Sequence, residues 1–258
     1  MTSMHFEPWQ WALLILGSLC VGLSKTGVPG LSVLFVAAFA NIFSAHGGAR
    51  AATGVVLPML IIGDLFAVGS YRKHLVWSHL WRLFPWALLG VLFGWFALGK
   101  INDLWSARLI GLILLGMLGF HLWRKKSAVS GHQPESFDQA PGWRAALTGT
   151  LAGFCTMVAN AAGPVMSIYL LAMRLPKLEF MGTGAIFFLL LNWLKVPFMV
   201  NLGMINPTSF QLNLWLAPAV VLGALTGRWL AGRLSQRWFE TIILILTALA
   251  AGNLICKT

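Results

Sequence analysis

Residues 11 to 40, WALLILGSLCVGLSKTGVPGLSVLFVAAFA, form one apolar run interrupted at its centre by Gly22-Leu23-Ser24-Lys25-Thr26-Gly27-Val28-Pro29-Gly30. As one straight helix its 30 residues would extend roughly 45 Å, against a hydrocarbon core of about 30 Å. Pro29 has no backbone N–H and clashes with the preceding turn, and the glycines around it weaken the helix further. The run therefore predicts two half-length arms that meet at a polar break. Backbone that leaves the helix inside a bilayer is stable only where protein or water satisfies it, which makes the break a candidate binding site.

Further apolar runs follow, and the chain has too few charges for a water-facing surface. Charged residues make up 10% of it and hydrophobic residues 58%, where a soluble domain carries about 25% charged residues. The mean hydropathy is +0.79. These values predict an all-α polytopic membrane protein in contact with the lipid bilayer. The formal net charge of +11 does not point to nucleic acid, because the basic residues sit in short clusters between apolar runs, as topology signals do. Cys20, Cys155 and Cys256 fit neither a disulfide framework nor a metal site. The histidines are scattered among the N-terminal tail, loops and span ends. No nucleophile with its base and no ligand set emerges, so an enzyme is not expected, nor a metal or cofactor. The first nine residues hold no Lys or Arg, so no cleavable signal peptide is predicted.

The chain reads as two halves, 1–126 and 144–258, joined by a polar cytoplasmic linker, 127–143. After the first broken segment come spans at about 51–70, up to about 98, and 104–123. The second half repeats the theme. Residues 145–173 are apolar with an interruption from Thr156 to Pro164, and runs at about 182–200, up to 227, and up to 255 follow. At an offset of 130, Thr53-Gly54 falls on Thr183-Gly184, and Asp64 falls next to Lys195. Each half is thus one broken segment plus three spans, and paired interruptions of this kind mark transporter substrate sites.

The positive-inside rule selects between inverted and parallel repeats. With each broken segment entering and leaving on one side, and Arg124-Lys125-Lys126 cytoplasmic, Arg72, Lys73, Arg82, Arg144, Arg174, Lys177, Arg228, Arg233 and Arg237 all fall inside. If both segments span fully, Arg174, Lys177, Arg228, Arg233 and Arg237 move outside. The inverted arrangement is therefore expected, with both termini periplasmic.

Candidate site residues lie at the breaks and within the second spans. Lys25 is a cation at a helix break, expensive in hydrocarbon without water, a partner or a substrate. Ser24 and Thr26 add hydroxyls, and Gly27 opens the turn where N–H groups of a following arm would favour an anion. A snorkelling or structurally paired Lys25 is the competing reading. The second break presents Thr156, Asn160 and the Gly163-Pro164 step. Close helix packing explains its alanines but leaves Asn160 as a candidate ligand. Asp64 and Lys195 are charges within spans, and Asn192 shares a helix face with Lys195. They form either a structural ion pair, with Lys25 as a third member, or a proton-responsive coupling pair. Two lysines, one carboxylate and several hydroxyls favour an anion.

These features resemble the TauE/SafE family of sulfite exporters. The resemblance rests on Gly22 through Leu31, on Gly47-Gly48-Ala49-Arg50-Ala51-Ala52-Thr53-Gly54, and on Gly149-Thr150-Leu151-Ala152-Gly153-Phe154, and it covers about residues 12 to 255. It implies movement of sulfite or other small inorganic or organosulfur anions across the bacterial cytoplasmic (inner) membrane, with proton coupling in some members. Alternating access is the expected mechanism. An anion channel or uniporter would use the same residues and would lack a steep dependence on a proton gradient. A non-transporting scaffold or accessory subunit would tolerate substitution of Lys25 or Asn160.

Overall fold

The computed structural model of the chain describes residues 6–31, 39, 42, 43, 48–98, 100, 103–129 and 142–256. Its helices are α1 (Pro8–Thr26), α2 (Gly48–Tyr71), α3 (Trp77–Leu98), α4 (Asp103–Val129), α5 (Gly142–Ala159), α6 (Ala162–Ala172), α7 (Lys177–Asn201), α8 (Pro207–Arg233) and α9 (Gln236–Ile255), with a 3-10 turn at Arg72–His74. No strand occurs among the described residues. Most of the second arm of the first broken segment, the turn at 44–47, the centre of the linker and Lys257 lie outside them.

Among the described residues, five stretches are long and apolar enough to cross a membrane: Ala51–His74, Trp77–Leu98, Lys177–Asn201, Pro207–Arg233 and Gln236–Ile255. The span expected at 104–123 lies within the 27 residues of α4, which carry a shorter apolar stretch at Arg108–Trp123. The helix does not stop at Arg124-Lys125-Lys126. It runs on to Val129, because no proline or glycine stands before Gly131, and α5 begins at Gly142. Helix thus takes both ends of the segment expected to be a linker.

Large apolar side chains point outward: Trp81, Phe93, Leu112 and Trp215 are each at least 60% exposed. The interior holds the polar groups, which is the distribution a lipid solvent requires. Small residues set the closest helix crossings. In α1 and α8, a Cβ on Gly22 would lie 2.0 Å from the Val220 carbonyl oxygen, and one on Gly223 would lie 1.9 Å from that of Leu19. In α5 and α3, a Cβ on Gly153 would lie 2.0 Å from the Ala87 carbonyl oxygen, and one on Gly90 2.1 Å from that of Thr150. The register is the same in both crossings: each glycine meets the residue three before the opposing glycine. Any side chain there would push the backbones apart.

Contacts along the other helices give their directions. Leu83 meets Gly149 and Ala87 meets Gly153, so α3 and α5 run parallel. Leu19 meets Gly223 and Leu23 meets Gly227, so α1 and α8 do too. In α2 and α7 the order reverses: Gly54 packs on Met204, Asp64 bonds Asn192, and Tyr71 packs on Gly182. These two helices are antiparallel. One turn before Leu83, His79 Nδ1 lies 3.4 Å from the Tyr169 hydroxyl in α6.

Candidate functional site

The first break forms where α1 stops at Thr26. The N–H groups of Gly27 and Val28 both donate to the Leu23 carbonyl, at 2.8 and 3.1 Å, and the chain turns through Gly30 at φ +95°. Only glycine takes that conformation without strain. The end of the helix is tied down from two sides. Thr26 Oγ1 donates to the Ala224 carbonyl at 2.6 Å, and the Tyr71 hydroxyl donates to the Thr26 carbonyl at 2.7 Å. Thr26 and Gly27 therefore face α8, where a Cβ on Gly27 would lie 2.5 Å from the Gly227 carbonyl oxygen.

The second break is held by one asparagine. Asn160 takes φ +51°, a left-handed conformation that asparagine tolerates better than most residues. Its Nδ2 donates to the Thr53 carbonyl in α2 at 3.1 Å, and its Oδ1 accepts from Lys195 Nζ in α7 at 2.6 Å. Lys195 also donates to the carbonyl and to the hydroxyl of Thr156, both at 2.9 Å. With its side chain fully buried, Lys195 has three acceptors around one ammonium group. Helix α6 then starts at Ala162, and Ala161 gives it no side-chain cap.

The two breaks face each other. A Cβ on Gly163 would lie 3.9 Å from Gly30 Cα, within ordinary contact distance. Beside this meeting point is a cleft lined by both breaks and by α2 and α7. Ser24, Lys25 and Gly30 line it from the first break, and Thr156, Asn160 and Gly163 from the second. Asp64 and Asn192 close it from α2 and α7.

Within the cleft, Lys25 Nζ is 2.8 Å from Asp64 Oδ1 and 4.3 Å from the centre of the Phe188 ring. Asn192 Nδ2 donates to Asp64 Oδ2 at 2.6 Å. Asp64 is fully buried, while the Lys25 side chain keeps 10% of its surface. The ion pair thus joins Lys25 to Asp64, and Lys195 makes its bonds at the second break. Each lysine fastens a break to a long helix, but the charge is reversed. At the first break the cation sits on the break and its partner on α2, and at the second the cation sits on α7.

Sequence reasoning did not single out three neighbours of this pair. A Cβ on Gly63 would lie 2.9 Å from Lys25 Cγ, so that glycine makes room for the lysine stem. Phe188 presents its ring to the ammonium, and Tyr71 caps the end of α1. A glycine or an aromatic residue within an apolar span carries no marker in the sequence; the position of Gly63 beside Asp64 was the available signal. Two lysines and one carboxylate leave one formal positive charge in surplus around the cleft. Among the described residues no group of three His, Cys, Asp or Glu side chains comes together as a metal site.

Residues 13–254 match the family model described as Sulfite exporter TauE/SafE. No curated protein and no solved structure matches the chain.

Proposed function

Since the chain belongs to the sulfite exporter TauE/SafE family, whose members are transporters and not enzymes, we propose that it carries sulfite or a related organosulfur anion across the bacterial cytoplasmic membrane by alternating access. The multi-span helix bundle and the family agree on a membrane anion transporter. The observation that carries the finer reading is Lys25. It stands at a helix break, lines a cleft, and belongs to a buried group with one more cation than carboxylate. An anion entering there shares the ammonium with Asp64, and the hydroxyl of Ser24 and the small residues of both breaks let it approach closely.

The alternating step follows from two inverted halves, each a broken segment plus three spans, rocking about the paired breaks. Three contacts support this arrangement. The α1–α8 and α3–α5 crossings exchange under a swap of the halves and keep the same register. The antiparallel α2–α7 pair fits inverted halves, whereas two fully spanning broken segments would make that pair parallel. The Tyr169–His79 contact brings the far part of α6 back toward the level at which α5 begins, as a re-entrant hairpin would. On this reading 1–126 and 144–258 are the halves, and both termini are periplasmic.

The test is flux of labelled sulfite, thiosulfate, sulfoacetate and a carboxylate control in proteoliposomes, with and without a pH gradient. Saturable flux of sulfite or another of the sulfur anions that responds to the gradient and falls in Lys25→Ala supports the reading. Flux that ignores the gradient and does not saturate makes the protein a channel. No flux with any anion contradicts the proposal.

A further inference from the structure

The orientation of the Asn192 amide is set by its neighbour. A carboxylate only accepts, so the nitrogen of Asn192 must face Asp64, where it donates to Oδ2 at 2.6 Å. Its amide oxygen is therefore turned away from Asp64. That oxygen is buried, and no donor among the described residues reaches it. A buried acceptor left without a donor is costly, and such atoms in native proteins have a reason. Here the residue lines the cleft and is only 1% exposed.

The charge count is a second, independent observation. Among the described residues, Lys25 from α1 and Asp64 from α2 line the cleft, and Lys195 from α7 lies behind it on Thr156 and Asn160. Their formal charges sum to one positive charge, which a monoanion neutralises and a dianion overshoots. Lys25 and Asn192 flank the same carboxylate, on Oδ1 and Oδ2 respectively, so a small ligand can address both.

We propose that the cleft takes its anion in a singly charged form that still carries one hydrogen-bond donor. Lys25 receives the ionised oxygen, and Asn192 Oδ1 accepts from the remaining O–H. The inference rests on the reading of this cleft as the anion site and specifies the form it takes. For sulfite that form is the O–H monoanion and not the dianion. Each anion then brings its own proton across and releases it on the more alkaline side. A pH gradient acts on the flux in this way with no side chain changing its protonation state.

The test is competition against labelled sulfite influx by the full-length protein in proteoliposomes, using three tetrahedral probes across a pH series. Methylphosphonate passes from a monoanion with an O–H to a dianion without one. Methanesulfonate is a monoanion with no donor, and sulfate is a dianion with no donor. In the wild-type protein, methylphosphonate on the acid side should compete about tenfold better than methanesulfonate, and should lose that advantage on the alkaline side. In Asn192→Ala the preference should shrink to about twofold, since the acceptor is gone. Should that variant fail to fold, the wild-type comparison decides alone. Methanesulfonate or sulfate competing as well as the methylphosphonate monoanion, with sulfite influx intact, overturns the inference and leaves an anion transporter. Absence of sulfite influx overturns both.

Discussion

Lys195 Nζ lies 2.6 Å from Asn160 Oδ1, joining the middle of α7 to the one non-glycine residue at the second break that has a positive φ. A lysine buried in an apolar helix is thereby accounted for by backbone geometry. It satisfies the Thr156 carbonyl and hydroxyl and holds the asparagine whose other end reaches Thr53 in α2. The first break is fastened by the opposite choice, a lysine on the break paired with Asp64 on the span. The cleft sits between these two fastenings.

Lys195→Met removes the donor from Asn160 Oδ1 and the Thr156 hydroxyl, while the Thr156 carbonyl keeps the Asn160 N–H. Each unsatisfied group costs about 1–3 kcal/mol, so the variant is expected to lose several degrees or more of thermal stability in detergent. Asn160→Gly keeps the left-handed turn and loses the amide bonds. It should be less damaging than Asn160→Ala by about 1–2 kcal/mol, the cost of a left-handed conformation for a residue with a Cβ. Thermal melts of the three variants check both statements, and an unchanged Lys195→Met melt would refute the first.

Lys25→Ala leaves Asp64 buried without its cation. Breaking a buried pair from one side costs about 3–5 kcal/mol. The double variant Lys25→Met/Asp64→Leu removes both charges and should recover most of that stability. If Lys25 binds the anion, the double variant remains without flux although it is folded. Recovery of flux together with stability would make the pair structural alone.

Gly63→Ala puts a methyl group 2.9 Å from Lys25 Cγ. The contact is to the lysine stem and not to its flexible end, so the ammonium must shift. Half-saturation for sulfite should rise several-fold while the melt moves little. Gly69→Ala is the control, as nothing lies within 4 Å of a Cβ there. Equal kinetics for the two variants would count against the position assigned to Lys25.

Gly22→Val and Gly153→Val occupy matching places in the α1–α8 and α3–α5 crossings, where backbone lies 2.0 Å from the Cβ position. Both should sharply reduce the yield of monodisperse protein, and by similar amounts. Size-exclusion profiles of the two variants beside Gly232→Val, which has open space, test this. A tolerated Gly22→Val would contradict the close approach.

Much of this arrangement was legible in the sequence. Pro29 with its glycines, and Asn160 with Gly163-Pro164, announced the breaks because few residues stop a helix inside an apolar run. Lys25, Asp64 and Lys195 stood out for the same reason. Which cation meets which acceptor was not legible. It depends on the rotation of each helix about its axis, and Lys195 and Asn192, though on one face of α7, bond to the second break and to α2 respectively. Two crossing motifs could have been read earlier: Gly90 and Gly94 recur as Gly223 and Gly227, each 133 residues on. That small-residue spacing marks close packing, and it was hidden among 27 glycines.

The central claim is that a carried anion sits against Lys25 between the two breaks, and sulfite counterflow tests it most directly. Proteoliposomes preloaded with unlabelled sulfite should accumulate labelled sulfite transiently above equilibrium in the wild-type protein. They should show none of this in the folded Lys25→Met/Asp64→Leu variant. Counterflow that persists in that variant would place the anion elsewhere in the molecule and contradict the account.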